Sequence, residues 1–128
     1  MALDPARTKP ELDFPGETPP ADLVIEDVIE GDGAAVAPGQ TVTTHYAGWC
    51  FSTGEEFDSS WNRGEPLSFR AGIGQVIKGW DDGLLGMKVG GRRKLTIPPH
   101  LGYGQRGAGG VIKPGETLIF VVDLVDVR

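Results

Sequence analysis

The chain has 128 residues, 39% hydrophobic and 23% charged, with 20 glycines, 10 prolines and a net charge of -6. That length holds one domain with a single modest core, and so much glycine and proline points to many turns and a β-rich fold rather than long helices. An acidic balance argues against nucleic acid as the main partner, because phosphate binding needs a basic face, and no apolar run approaches the roughly 20 residues that cross a bilayer.

Residues 1–33 hold nine of the 18 acids against only Arg7 and Lys9, and residues 1–20 hold half of the prolines without any amphipathic period. Residues 1–20 therefore read as an extended, flexible acidic arm with too little apolar area to fold alone. The domain is expected over residues 21–128. It opens with "ADLVIEDVIEGDG", a strand closed by a Gly-Asp-Gly turn, and continues with the alternating β-branched and aromatic run "QTVTTHYAGWCF". "TGEEF" then supplies a turn and a short strand, and "PLSFRAG" another strand.

In "FRAGIGQVIKGW", Gly72-x-Gly74 has the first two glycines of a dinucleotide loop. Position 77 is Ile77, however, and Lys78 is followed by Gly79, so neither nucleotide pattern is completed. Gln75 to Leu84 form the one helical stretch, with Val76, Trp80 and Leu84 spaced i, i+4, i+8. "GGRRKLTIPP" is a strand whose Arg92-Arg93-Lys94 cluster reads as a solvated face. "HLGYGQRGAGGVIKPGE" is a long glycine-rich loop of the kind that is usually functional, and "TLIFVVDLVDVR" is the last strand. The sum is an α+β arrangement, an antiparallel sheet wrapped over one short helix.

Familiar catalytic sets are missing from this sequence. His45, His100 and the lone Cys50 give no zinc spacing. Five residues apart on a strand, His45 and Cys50 face opposite sides and make no nucleophilic pair. Cys50 reads as a buried thiol, and its being alone agrees with a reducing, cytoplasmic setting and equally with a mature exported protein whose signal has been trimmed. Asp81 and Asp82 diverge on a helix and read as exposed charges. What remains is an aromatic set with few polar groups: Tyr46, Phe57, Asp58, Arg63, Phe69, Val76, Ile77, Trp80, Tyr103 and Phe120. On spacing alone, core filling and a ligand pocket both stand.

"THYAGW" (44–49), "FDSSWNRGEPLSF" (57–69), "GQVIKGWDDGLLGMKVGGRRKLTIPPHLGYG" (74–104) and "TLIFVVDL" (117–124) occur in the order and spacing of the FKBP-type peptidyl-prolyl cis-trans isomerases, which the chain resembles over Leu23 to Val127. The resemblance implies a twisted antiparallel sheet of about five strands wrapped around one short α-helix. It implies a single-domain, cofactor-free and metal-free isomerase of Xaa-Pro bonds that assists protein folding, with proline-containing polypeptides as substrates. Macrolides such as tacrolimus and rapamycin are the implied ligands, and a monomer without nucleic-acid or membrane partners is the expected state.

Residue by residue, the resemblance makes Trp80 the floor of a pocket for a proline ring and Tyr46, Phe57 and Phe120 its walls. Val76 and Ile77 form the rim, the Ile77 N–H donating to a substrate carbonyl. Asp58 lies beside the prolyl imide, restrained by Tyr46 and Arg63, and Tyr103 offers its hydroxyl. Phe69 belongs to the same aromatic box, and residues 105–113 form a flap whose Val111 and Ile112 touch the residue before proline. Leu67, Gln75 and Ala108-Gly109 depart from the best-known eukaryotic members, which often carry an aromatic residue, an acid and a His-Pro pair there. The implied alternative to an enzyme is a chaperone or scaffold module that binds Pro-containing segments, and Phe14-Pro15 in the arm resembles a substrate of the family.

Overall fold

Period-two alternation decides the sheet. A computed structural model describes residues 7–12, 18–108 and 110–128; Phe14-Pro15 and Gly109 lie outside the described residues. The strands are β1 (Val24–Ile29), β2 (Thr41–Cys50), β3 (Glu56–Ser59), β4 (Leu67–Arg70), β5 (Arg92–Ile97) and β6 (Leu118–Val127). All pairings are antiparallel, and the order is β1-β5-β6-β2-β3, with β4 also on β2. Because β6 takes one edge of β2, β3 and β4 share the other: β4 pairs with Thr41–Thr44 and β3 with Ala47–Trp49. Six strands thus occupy five positions.

Alternate residues of the central strands bury Val42, Tyr46, Leu95, Ile97, Leu118, Phe120, Val122 and Leu124 on the inner face. At roughly 25 cal/mol per Å² of apolar area removed from water, this face supplies most of the driving force for folding. The opposite residues Ala47, Trp49, Ile119 and Val121 join Phe51 in a second, outer cluster.

Across the inner face runs α2 (Lys78–Gly83). It is shorter than the expected stretch because Gln75 is engaged elsewhere, its side-chain carbonyl accepting the Arg70 N–H at 2.8 Å, and Ile77 is extended at φ -59°, ψ 151°. Glycine is required where the helix meets β5: a Cβ on Gly79 would lie 2.5 Å from the Ile97 side chain, and one on Gly83 2.8 Å from that of Leu95. Asp81 is more than an exposed charge, since its carboxylate accepts the Gly72 and Gly74 N–H groups at 2.9 and 2.8 Å and pins the bend leading into the helix. Asp82 pairs with Lys78. A second helical turn, α1 (Ser60–Arg63), is capped by the Ser59 side chain, which accepts the Asn62 N–H; a single turn carries too little periodicity for sequence to reveal.

The Arg92-Arg93-Lys94 cluster is not a solvated face. Arg93 is only 9% exposed; it pairs with Asp27 and donates to the Gly83 and Leu85 carbonyls at 2.9 and 3.2 Å, so a cation from β5 closes the C-terminal end of α2. Arg92 pairs with Asp123, which is fully buried. A buried charge needs such partners.

The described part of the arm lies against the outer face. Arg7 donates to Asp123 at 2.6 Å and to the Gly90 carbonyl at 2.8 Å, while Arg92 donates to the Thr8 carbonyl. Lys9 pairs with Glu56 and donates to the Asn62 side chain. Pro10 is buried, and Leu12 packs against the outer cluster.

Candidate functional site: an aromatic hollow on the inner face

Between α2 and the inner face is a hollow of about 430 Å³ lined by Tyr46, Phe57, Asp58, Leu67, Gln75, Val76, Ile77, Trp80, Tyr103 and Phe120. That volume is at the small end of ligand pockets. Trp80, from the middle of α2 and 3% exposed, is its floor. Three perpendicular contacts fix the rings: Trp80 to Phe120 at 5.2 Å, Trp80 to Tyr46 at 5.1 Å and Phe57 to Phe120 at 5.4 Å between centroids. Edge-to-face geometry of this kind is the favoured arrangement and holds each ring against rotation.

Gly48 makes room for the arrangement. A Cβ there would come within 2.7 Å of both the Phe57 and Phe120 rings. It is a site residue that sequence reasoning passed over, although a glycine inside a strand otherwise made of β-branched and aromatic residues is the usual signal of a close approach.

One polar group set borders the hollow. The Tyr46 hydroxyl donates to Asp58 at 2.5 Å and accepts from Arg63 at 2.8 Å, and Arg63 also pairs with the other Asp58 oxygen. The Asp58 and Arg63 side chains are 38% and 47% exposed, so their pairing adds at most about 1 kcal/mol to stability. Its effect is to fix where the carboxylate points. Burial, reinforced by the hydrogen bond to Asp58, pushes the Tyr46 phenol above its usual range and keeps it a proton donor at neutral pH. The Tyr103 phenol is also raised, first by burial and then by the Asp58 charge.

Of the residues assigned from sequence, ten share the hollow. Arg63 is outside its lining and is hydrogen-bonded to Asp58 and Tyr46. Phe69 is buried behind Trp80, 5.6 Å from it, and supports the floor rather than facing the space. Ile112 is part of the core at 6% exposure, whereas Val111 is 53% exposed; neither lines the hollow here. The flap bends where Ala108 and Ile112 exchange backbone hydrogen bonds of 2.9 and 3.0 Å. Cys50 and His45 lie on opposite faces, as their spacing requires: Cys50 is in the inner core, its thiol pushed up by burial, and His45 stacks on Trp61 outside.

A sequence profile described as FKBP-type peptidyl-prolyl cis-trans isomerase matches residues 33–125. The chain belongs to that family. It is 69% identical over 120 residues to a Streptomyces anulatus protein named FK506-binding protein, covering 93% of this chain and 97% of that one. Identity to the FK506-binding protein of Neisseria meningitidis serogroup A is 57% over 105 residues, 82% of this chain and 95% of its relative. Among solved structures, AtFKBP13 superimposes with a TM-score of 0.78 at 41% identity, over 86% of this chain and 96% of that one. The α+β fold is therefore the family fold, and the chain is a peptidyl-prolyl cis-trans isomerase. The Streptomyces match also reaches into the arm, which the family profile leaves out.

Proposed function

We propose that the aromatic hollow is where the isomerase rotates an Xaa-Pro bond, with Trp80 beneath the proline ring and Tyr46, Phe57 and Phe120 around it. The observation that carries this reading is a polar set held by its own hydrogen bonds, Tyr46, Asp58 and Arg63, at the edge of a hollow lined mainly by apolar and aromatic side chains. A prolyl bond rotates over a barrier of about 20 kcal/mol because twisting destroys amide resonance. The planar imide has the larger dipole, so moving it from water into the box favours the twisted form, and donors held in place receive the twisted carbonyl. Neither a nucleophile nor a proton carrier is needed.

In this reading Asp58 faces the imide, the Ile77 N–H and the Tyr103 hydroxyl take substrate carbonyls, and Val76, Leu67 and Gln75 form the rim. Val111 and Ile112 approach the residue before proline when the flap at 105–113 rearranges. Tacrolimus and rapamycin occupy the same hollow, as the name shared by the relatives suggests. Residues 21–128 form the isomerase domain and act as a monomer, and the lone free cysteine fits a cytoplasmic setting.

A protease-coupled peptide assay tests the site. Asp58→Val and Phe120→Leu should each lower kcat/KM by about tenfold or more, within the usual range for a positioned group. Unchanged rates in both would overturn the assignment. Tacrolimus should change the Trp80 fluorescence, and a Trp80→Leu variant should lose that change while Trp49 and Trp61 still emit.

A further inference from the structure

The segment Glu56–Arg63, which carries Phe57, Asp58 and Arg63, is the edge of the sheet. Its strand is four residues long, pairs only with β2 and shifts register between Gly48 and Trp49. Its side chains divide between two sides. Phe57 and Asp58 border the hollow and Arg63 reaches back to Asp58 and Tyr46. Glu56 and Asn62 turn outward, and both meet the N-terminal arm there. Lys9 Nζ lies 2.6 Å from Glu56 and 3.0 Å from the Asn62 side-chain oxygen, and the Asn62 amide donates to Glu56 at 3.1 Å. The arm itself is held farther along by Arg7 on the buried Asp123.

We infer that Lys9 is a positioning residue for isomerisation: through it the arm clamps the Glu56–Arg63 edge from outside and thereby fixes Phe57 and Asp58 in the hollow. This rests on the hollow being the site of isomerisation. A short edge strand with one partner moves more than a central one, and small displacements of positioned groups are costly to rate. The Lys9–Glu56 pair is half-exposed, so its energy alone is small; its leverage comes from joining both ends of the turn, Glu56 before the site residues and Asn62 after them.

The test uses full-length variants in the protease-coupled assay at a temperature well below unfolding. Lys9→Glu places like charges together and should lower kcat/KM about threefold. Adding Glu56→Lys to Lys9→Glu should restore the wild-type rate, because the swapped pair attracts again and the Asn62 amide satisfies both partners by turning over. A residue that only stabilised the fold would lower Tm and leave kcat/KM alone. Wild-type kcat/KM in Lys9→Glu, or no rescue by the charge swap, overturns the inference while Asp58→Val remains impaired. If Asp58→Val is itself fully active, the site assignment falls first and the inference with it.

Discussion

The two faces of the sheet begin alike, each a patch of apolar residues set by strand alternation, and end differently. On the inner face the covering element is a glycine-bearing helix pressed against Leu95 and Ile97, and the large rings beside it stand perpendicular to one another and leave space. On the outer face Trp49 and Phe51 stand with Ala47, Ile119 and Val121, and both Trp61 and the arm's Leu12 pack against this cluster. Both faces carry rings, yet only the inner one, where they stand edge to face beside the helix, encloses a hollow. Apolar and aromatic area alone thus does not make a hollow; the arrangement of the rings does.

The largest effect should come from breaking the support of the inner side. Arg93→Met leaves the Gly83 and Leu85 carbonyls and Asp27 without their shared cation, and should cost about 3 kcal/mol, read as a lower urea midpoint at constant m-value. Next is Gly48→Ala. Two rings must yield to the new methyl group, so stability should fall by about 2 kcal/mol and kcat/KM by about tenfold. If the activity is intact, the hollow does not depend on the perpendicular rings.

The outer face should respond less. Arg7→Ala leaves the buried Asp123 with Arg92 alone and should cost about 1 kcal/mol in chemical denaturation. The smallest effect concerns His45, whose pKa is held below the ordinary 6.5 by burial, with the Asp123 charge opposing. A folded value below the unfolded one means that the unfolded chain binds the proton more readily. The stability tied to His45 is therefore complete above about pH 6.5 and is lost as pH falls below it. His45→Phe should flatten the decline of Tm over that interval; an unchanged slope would place the dependence on other groups.

The inner face was largely legible in the sequence because its information is local. Alternation in "THYAGW" and "TLIFVV" fixes which residues look inward, and Trp80 falls four residues after Val76 in a stretch that is otherwise turn-rich. What stayed hidden depends on distant partners. The positions of Arg92 and Arg93 depend on Asp123, Asp27 and the end of α2, none of them near in sequence. Composition showed that residues 1–20 lack a core of their own, yet Leu12 packs on an outer cluster that begins at Ala47, far along the chain. The α2 boundary moved for a similar reason, since the Gln75 side chain serves β4 instead of the helix.

Ser60 has a consequence for solubility. Along one edge of β2, β4 pairs as far as Thr44 and β3 begins at Ala47. In the gap the buried Ser60 hydroxyl accepts the Tyr46 N–H at 2.6 Å and donates to the Tyr46 carbonyl at 3.2 Å. A side chain completes the ladder there, and its oxygen also lies 3.0 Å from His45 Nδ1. Exposed backbone at such a break would be a template for a strand of another molecule. One hydroxyl group closes that route to aggregation.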